Sequence, residues 1–271
     1  LYMVVLPQIK PFIFTIAPGI GIRWYAFMYI LGFAIAWYLG SRRLCEVGLQ
    51  RESFLDFLSS VALGIIVGGR VGYVFIYQFD YFLLDPFLIF RLWHGGMAFH
   101  GALVGGMIAL YVFSRQSCIS FFRLVHFTAP LIPPGLMLGR LGNFINGELW
   151  GRVTNVPWAM VFPHSDLLPR HPSQLYEMLG EGVLLYVIIA MLRKKLDPES
   201  GHLGMWFLVH YAWIRFVIEF FREPDYNLGY VLLNTFSMGQ VLCLFMFITG
   251  GGLLLFEHIK IRSSTLSVTN G

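Results

Sequence analysis

Seven stretches of this chain are apolar over roughly the length that a helix needs to cross a bilayer. A membrane-spanning helix takes about 20 predominantly apolar residues, because the hydrocarbon core is about 30 Å thick. Backbone polar groups find no water at that depth, so such stretches have to be helical. The predicted spans are residues 24–39, 54–77, 96–113, 124–144, 174–192, 204–221 and 236–256. The sequence therefore predicts an all-α, polytopic membrane protein with about seven transmembrane helices.

The composition excludes a soluble globule. Of the 271 residues, 57% are hydrophobic and 13% are charged, whereas soluble domains carry about 25% charged residues. The net charge of +4 comes from basic residues clustered in short loops, which indicates membrane topology and contact with anionic membrane lipid, and no nucleic-acid partner. A single integral membrane domain over 1–271 is the simplest partition, with a proline-rich interfacial arm at 1–23 and a polar loop at 146–173.

The basic residues are unevenly divided between the two sides of the membrane that seven spans define. Ten of the nineteen Lys and Arg residues fall in the loops after the first, third and fifth spans and in the C-terminal tail. Because Lys and Arg accumulate in cytoplasmic loops, we expect the C-terminus in the cytoplasm and the N-terminus on the opposite side.

The end of the fourth predicted span is too polar for a membrane helix without partners. Residues 139–152, GRLGNFINGELWGR, carry two arginines, two asparagines and a glutamate among four glycines. A central arginine costs about 2.5–3.5 kcal/mol on insertion scales, so this density of polar groups indicates a site. The simpler alternative is a polar helix end from which Arg140 extends to the interface.

Other polar side chains fall in the same, outer half of the predicted spans. They are Arg70, His100, Arg215 and Glu219. Tyr211 shares a helix face with Arg215 and Glu219, and Arg222 extends that face. Charges at this depth should face the interior and pair, and Glu177 and Glu181 share a helix face as partners for arginines. We interpret the set as a cationic cavity that opens outward, in which arginine would bind the phosphate of a phospholipid head group. The alternatives are a structural Arg215–Glu219 pair, a packing role for Arg70 and a buried core position for His100.

Two further classes of protein compete with an enzyme. A transporter for an anionic solute or lipid also has a broken helix, here marked by Pro130, Pro133 and Pro134, and a cationic cavity. Against it, the sequence shows no inverted repeat, and the polar residues occupy one half of the membrane. A structural lipid-binding protein leaves His100 beside the arginines unexplained. There is no HExxH, GxSxG or Walker motif, and the three cysteines are far apart, so we expect no metal and no cofactor.

Five motifs, in order along nearly the whole chain, resemble those of bacterial prolipoprotein diacylglyceryl transferases. They are GGRVGYVFIY (68–77), GGMAFHGALVGG (95–106), GRLGNFINGELWGR (139–152), RHPSQLYE (170–177) and RFVIEFFREPD (215–225). The resemblance implies a bacterial inner-membrane enzyme that transfers the diacylglyceryl group of phosphatidylglycerol to the lipobox cysteine thiol of a prolipoprotein, with release of glycerol phosphate. It also implies a site in the periplasmic half, where the cysteine after the signal peptide would lie.

The resemblance also assigns roles to residues by their motif positions. It implies that His100, Arg140 and Arg215 are catalytic, with the arginines on the phosphate and His100 in proton transfer. We expect the phosphatidylglycerol-binding residues to be Tyr25, Arg70, Asn143, Glu148, Gly151, Tyr211, Glu219 and Arg222. The sequence departs from the family pattern at His94, where the family has Asp, and in the short loop 158–170. Both departures concern contacts at the outer face.

Overall fold

The structure, a computed structural model, describes residues 4–10, 12–17, 20–77, 79–91, 96–163, 165–224, 230–232 and 235–269. Within these residues the chain is mostly helical. The α-helices are α1 (Trp24–Ser41), α2 (Arg51–Tyr77), α3 (Phe79–Leu84), α4 (Phe99–Ser117), α5 (Phe121–Thr128), α6 (Ile132–Asn146), α7 (Ser173–Glu177), α8 (Leu185–Arg193), α9 (His202–Ile218) and α10 (Met238–Thr269). The strands are β1 (Val4–Val5), β2 (Phe12–Ala17), β3 (Ile20–Arg23), β4 (Met160–Val161), β5 (Tyr230–Leu232) and β6 (Phe236–Ser237).

A helix occupies each of the seven predicted spans, and five helical stretches among the described residues are long and apolar enough to cross a membrane. These five are Trp24–Ser41, Arg51–Phe75, Phe121–Asn146, Ser173–Arg193 and Met238–Lys260. The prediction of a polytopic, mostly helical membrane protein is thereby confirmed. The third and sixth predicted spans correspond to α4 and α9, which are not among the five, so the count of seven stays a prediction.

The fourth span is broken where its prolines predicted a break. Helix α5 ends at Thr128, a 3₁₀ turn covers Ala129–Leu131, and α6 begins at Ile132. Proline has no backbone N–H and is tolerated in the first turn of a helix, where that donor has no intrahelical partner. Pro133 and Pro134 occupy this turn of α6, so the helix resumes without loss of hydrogen bonds.

The chain divides into two compact units, residues 1–38 with 128–271 and residues 39–127. In the second unit, α2 packs on α4 through facing glycines. A Cβ atom added to Gly68 would lie 2.7 Å from the Cα atom of Gly105, and one added to Gly105 would lie 2.8 Å from the Cα atom of Gly68. Real Cβ atoms do not approach that closely, so the two helices can meet here only because glycines lie four residues apart on each of them.

The first unit is built around an apolar core between α8 and α9. Its buried residues are Ala129, Leu185, Ile189, Leu203, Tyr211, Ile214 and Ile218. The described part of the N-terminal arm contains no helix, which agrees with the disruption of helices by internal prolines. Instead β2 and β3 form an antiparallel hairpin, and β1 pairs in parallel with β4. The arm is thus joined to the polar loop by backbone hydrogen bonds that the sequence pattern did not predict.

Candidate active site

Two buried glutamates join two arginines from different helices of the first unit. Arg140 on α6 places Nε 3.2 Å from Oε2 of Glu177 and Nη2 3.3 Å from Oε2 of Glu181. Arg215 on α9 places Nη1 against Oε1 of Glu177 and 3.3 Å from Oε1 of Glu181. In each glutamate, Oε2 therefore contacts Arg140 and Oε1 contacts Arg215. Both glutamate side chains are fully buried.

Local backbone geometry brings the glutamates to α6. Glu177 ends α7 and Glu181 lies in the π-helical segment Met178–Leu184 that follows it. A Cβ atom added to Gly182 in this segment would lie 2.5 Å from the Cβ atom of Met137 on α6. Only glycine allows the two backbones to approach this closely. Met137 is one helical turn before Arg140, so the same close packing brings Arg140 within reach of both carboxylates.

A third carboxylate is held between α9 and the start of α10. Arg215 places Nη2 2.7 Å from Oε2 of Glu219, and the hydroxyl of Ser237 donates to Oε1 of Glu219 at 2.8 Å. A Cβ atom added to Gly239 would lie 2.8 Å from the same Oε1 atom. Arg222 approaches Oε2 of Glu219 at 3.7 Å. The sequence indicated the i, i+4 pairing of Arg215 with Glu219 as one alternative. It did not indicate that Ser237 and Gly239 would contact Glu219.

Within the described residues, these contacts form a charge-balanced cluster. It contains Arg140, Arg215 and Arg222 together with Glu177, Glu181 and Glu219. The expectation of a cationic cavity was therefore wrong for these side chains. Unpaired charges are very costly to bury, and the two glutamates on α7 and the π-helical segment supply the missing partners. Glu177 and Glu181 were expected from the sequence as partners for arginines, but they were not expected to be part of the site.

The polar end of α6 is ordered by its own asparagines. Asn143 is buried and donates from Nδ2 to Oε1 of Glu148 at 2.9 Å, and Asn146 donates to the same oxygen at 3.3 Å. Gln174 at the start of α7 donates to the backbone carbonyl of Glu148 at 2.7 Å. Gly147 ends the helix with a positive φ of 65°, a conformation that favours glycine. Asn143 and Glu148 are thus brought together, one helical turn beyond Arg140.

Gly151 occupies a position that only glycine fits. Its backbone N–H donates to the carbonyl of His171 at 2.9 Å, and its carbonyl accepts from Nη1 of Arg170 at 3.0 Å. A Cβ atom added to Gly151 would lie 2.6 Å from the carbonyl oxygen of His171. Gly151 also forms a β-bridge with Arg222. The loop that follows α6 is thereby tied to the end of α9.

Tyr25 and Tyr211 belong to the same unit as the arginine–glutamate cluster. The hydroxyl of Tyr25 lies 3.1 Å from that of Tyr29 on α1. A Cβ atom added to Gly142 would lie 3.1 Å from Cδ2 of Tyr25, so the Tyr25 ring packs against α6. Tyr211 is buried, and its ring stacks on Phe207 with centroids 6.2 Å apart.

Arg70 and His100 lie on elements of the second unit. Arg70 is buried and donates to three backbone carbonyls, those of Ile89 at 3.0 Å, Gly96 at 3.0 Å and Arg91 at 3.2 Å. These bonds support the packing role that the sequence left open for Arg70. His100 is in the first turn of α4, and its side chain lies outside the described residues, as does His94. Proximity of Arg70 and His100 to the arginine–glutamate cluster remains a prediction.

Arg170 was not singled out from the sequence, although it organises the polar loop. It donates to both carboxylate oxygens of Asp166, at 2.9 and 2.8 Å, and to Oε2 of Glu223 at 3.1 Å. The hydrogen bond from Arg170 lowers the pKa of the Asp166 carboxyl, so this pair stays ionised at neutral pH. Burial lowers the pKa of His171, and its Nδ1 atom lies 3.1 Å from the Tyr176 hydroxyl.

Known proteins are similar to this chain along nearly its whole length. A family model described as prolipoprotein diacylglyceryl transferase matches residues 11–256. A phosphatidylglycerol–prolipoprotein diacylglyceryl transferase of Oleidesulfovibrio alaskensis is 49% identical over 255 residues, which cover 93% of this chain and 94% of that protein. Enzymes of the same name from Pasteurella multocida and Pseudomonas paraeruginosa are 47% and 46% identical, over 93% and 94% of this chain and 93% and 96% of their own lengths. The chain belongs to the prolipoprotein diacylglyceryl transferase family.

Proposed function

We propose that this protein transfers the diacylglyceryl group of phosphatidylglycerol to the lipobox cysteine thiol of a prolipoprotein. The thiol sulfur forms a thioether with the glyceryl carbon, the carbon–oxygen bond to phosphate breaks, and glycerol phosphate leaves with the bonding electrons. The thiol proton passes to a base. The family is named for transfer of a diacylglyceryl group to prolipoprotein, and the names of the relatives add phosphatidylglycerol. The observation that carries the proposal onto this chain is the buried cluster in which Glu177 and Glu181 hold Arg140 and Arg215 together.

The leaving group determines what the arginines have to do. Negative charge develops on a phosphate oxygen as the carbon–oxygen bond breaks, and preorganised donors stabilise such charge. Among the described residues, Nη1 of Arg140 has no partner, and the Arg140 side chain is 20% exposed compared with 8% for Arg215. We therefore assign the direct phosphate contact to Arg140. Arg215 binds all three glutamates of the cluster. Because Glu177 and Glu181 also contact Arg140, Arg215 helps to fix the position of the Arg140 guanidinium.

Thiolate is the attacking species, and a free cysteine thiol has a pKa of about 8.5, so a base accelerates the reaction near neutral pH. His100 is the histidine of the GGMAFHG motif, and we assign it the proton transfer. His100 lies in the first turn of α4, and the facing glycines hold this helix against α2. The backbone of His100 is therefore held in a fixed position, as a base requires.

The remaining residues are proposed to bind the phosphatidylglycerol head group or to shape its site. They are Tyr25, Arg70, Asn143, Glu148, Gly151, Tyr211, Glu219 and Arg222. Of these, Glu148 is exposed at the polar end of α6 and is able to accept hydrogen bonds from the glycerol hydroxyls of the lipid. Gly151 acts through the loop backbone, because its own position admits no side chain.

The test is peptide lipidation by the purified protein in detergent micelles that contain phosphatidylglycerol. A synthetic peptide with a lipobox cysteine should gain the mass of one diacylglyceryl group, and one phosphatidylglycerol should disappear for each peptide modified. A peptide with serine in place of the cysteine is the control and should stay unmodified. A transporter of anionic lipid would consume no phosphatidylglycerol, so unchanged lipid and peptide with folded protein would refute the proposal.

A further inference from the structure

Glu177 and Glu181 are the buried ionisable residues of the cluster to which the reaction assigns no task. We propose that they are positioning residues that keep the arginine cluster electrically neutral, so that the phosphate product is bound weakly and released. The proposal rests on the proposed function, because it assumes that Arg140 contacts the phosphate.

The geometry separates the two edges of the Arg140 guanidinium. Nε and Nη2 face Glu177 and Glu181 at 3.2 and 3.3 Å, so this edge is not available to a ligand. Nη1 is left for the phosphate. Because the same carboxylates also bind Nη1 of Arg215, a change in either glutamate acts on both arginines at once.

The charge of the ligand rises during the reaction. The phosphodiester of phosphatidylglycerol carries one negative charge, whereas a phosphate monoester carries about −1.5 to −2 at pH 7. A site with surplus positive charge would bind the product more tightly than the substrate, and release of product would slow turnover. Three glutamates balance three arginines here, and Glu177 and Glu181 are the two that contact Arg140 directly.

The variant that tests this is Glu181→Gln, which keeps the size of the side chain and its hydrogen-bonding oxygen but removes the charge. Inorganic phosphate serves as the product mimic in the peptide lipidation assay. We expect its inhibition constant to fall by at least about tenfold, which corresponds to about 1.4 kcal/mol of tighter binding. The kcat should fall, and KM for phosphatidylglycerol should fall with it. Glu181→Asp restores the charge and should return the inhibition constant towards the wild-type value.

A purely structural role predicts different results. Loss of an ion pair that merely holds helices would raise KM and leave inhibition by phosphate unchanged or weaker. The matched control is Glu199→Gln, which removes a charge from an exposed turn and should change none of these constants. Glu177→Gln is the second variant and should behave like Glu181→Gln.

An unchanged or raised phosphate inhibition constant in folded Glu181→Gln and Glu177→Gln would overturn the proposal. Loss of the fold in both variants would also overturn it, since the carboxylates would then serve structure alone. The two proposals fail separately. The proposed function fails when the wild-type protein does not lipidate the peptide, whereas this inference fails when the wild-type protein does so and the glutamine variants bind phosphate no more tightly.

Discussion

Arg140 and Arg215 contact the same two carboxylates but differ in the hydrogen-bond donors that remain available to a ligand. Arg215 is almost buried and contacts Glu177, Glu181 and Glu219. Arg140 is more exposed and has Nη1 without a partner among the described residues. Under the proposed function, this division gives each of the two arginines a separate task. We propose that Arg140 contacts the ligand and that Arg215 holds the carboxylates that orient Arg140.

His100 is proposed to accept the proton of the cysteine thiol. If it accepts the thiol proton, His100→Gln removes the base and keeps a side chain of similar size and polarity. General acid–base catalysis typically contributes about 10²–10⁴ in rate, so we expect a loss in that range near neutral pH. The rate should recover partly at higher pH, where more of the thiol is ionised. The measurement is the rate of peptide lipidation from about pH 6 to 9, and wild-type rates across this range would place the base elsewhere.

Specific pairs of residues were predictable from the sequence only where the two residues are close along the chain, although Glu177 and Glu181 were expected to pair with arginines. The pairing of Arg215 with Glu219 follows from their i, i+4 spacing, and the structure has it at 2.7 Å. The contacts of Glu181 with Arg140 and of Ser237 with Glu219 join residues that are distant in sequence. Helix periodicity gives the face on which each side chain lies, but it does not tell which helix covers that face.

At the scale of secondary structure elements, the same division between local and long-range determinants holds. The break between α5 and α6 was predicted because proline acts on its own turn. Glycines at four-residue spacing permit the close approach of α2 and α4, but their spacing does not name the partner helix. The π-helical segment Met178–Leu184 was not predicted, and neither was the pairing of β1 with β4. Both depend on hydrogen bonds and packing that a single-segment pattern does not encode.

The polar loop after α6 has a polarity that is evident from the sequence and long-range contacts that are not. Its polarity predicts a position outside the membrane, and none of the five long apolar helical stretches includes residues 147–172. The sequence did not predict that Arg170 would tie this loop to Glu223 and to the carbonyl of Gly151. Gly151 was included among the expected site residues through its motif, and its tight surroundings supply a physical reason for glycine there.

At the scale of the whole molecule, the basic residues predict the orientation of the chain in the membrane. We propose that the C-terminus is cytoplasmic and that the N-terminus and the loop 146–173 are periplasmic, which puts the polar end of α6 on the side where a signal-peptide cysteine would lie. A reporter active only in the cytoplasm should give signal when it is fused after Gly271. The same reporter inserted in the loop 146–173 should be silent, and the reverse pattern would contradict the orientation.

The central claim is that Arg140 binds the phosphate of the lipid through its guanidinium group and that the Arg215 guanidinium holds the carboxylates that orient Arg140. Lysine keeps the charge but lacks the planar fork, so it cannot contact a carboxylate and a phosphate in the same fixed geometry. Removal of a donor aimed at developing charge typically costs about 10²–10³ in rate. We expect losses of this size in Arg140→Lys and in Arg215→Lys, each with a thermal melt that still shows folded protein.

The most direct test is the rate of peptide lipidation by these two purified variants in phosphatidylglycerol micelles. Arg193→Lys, at the end of α8 and outside the arginine–glutamate cluster, is the matched control and should retain wild-type turnover. We expect both cluster variants to be folded and nearly inactive while the control is active. Near-wild-type rates in both Arg140→Lys and Arg215→Lys would contradict the central claim.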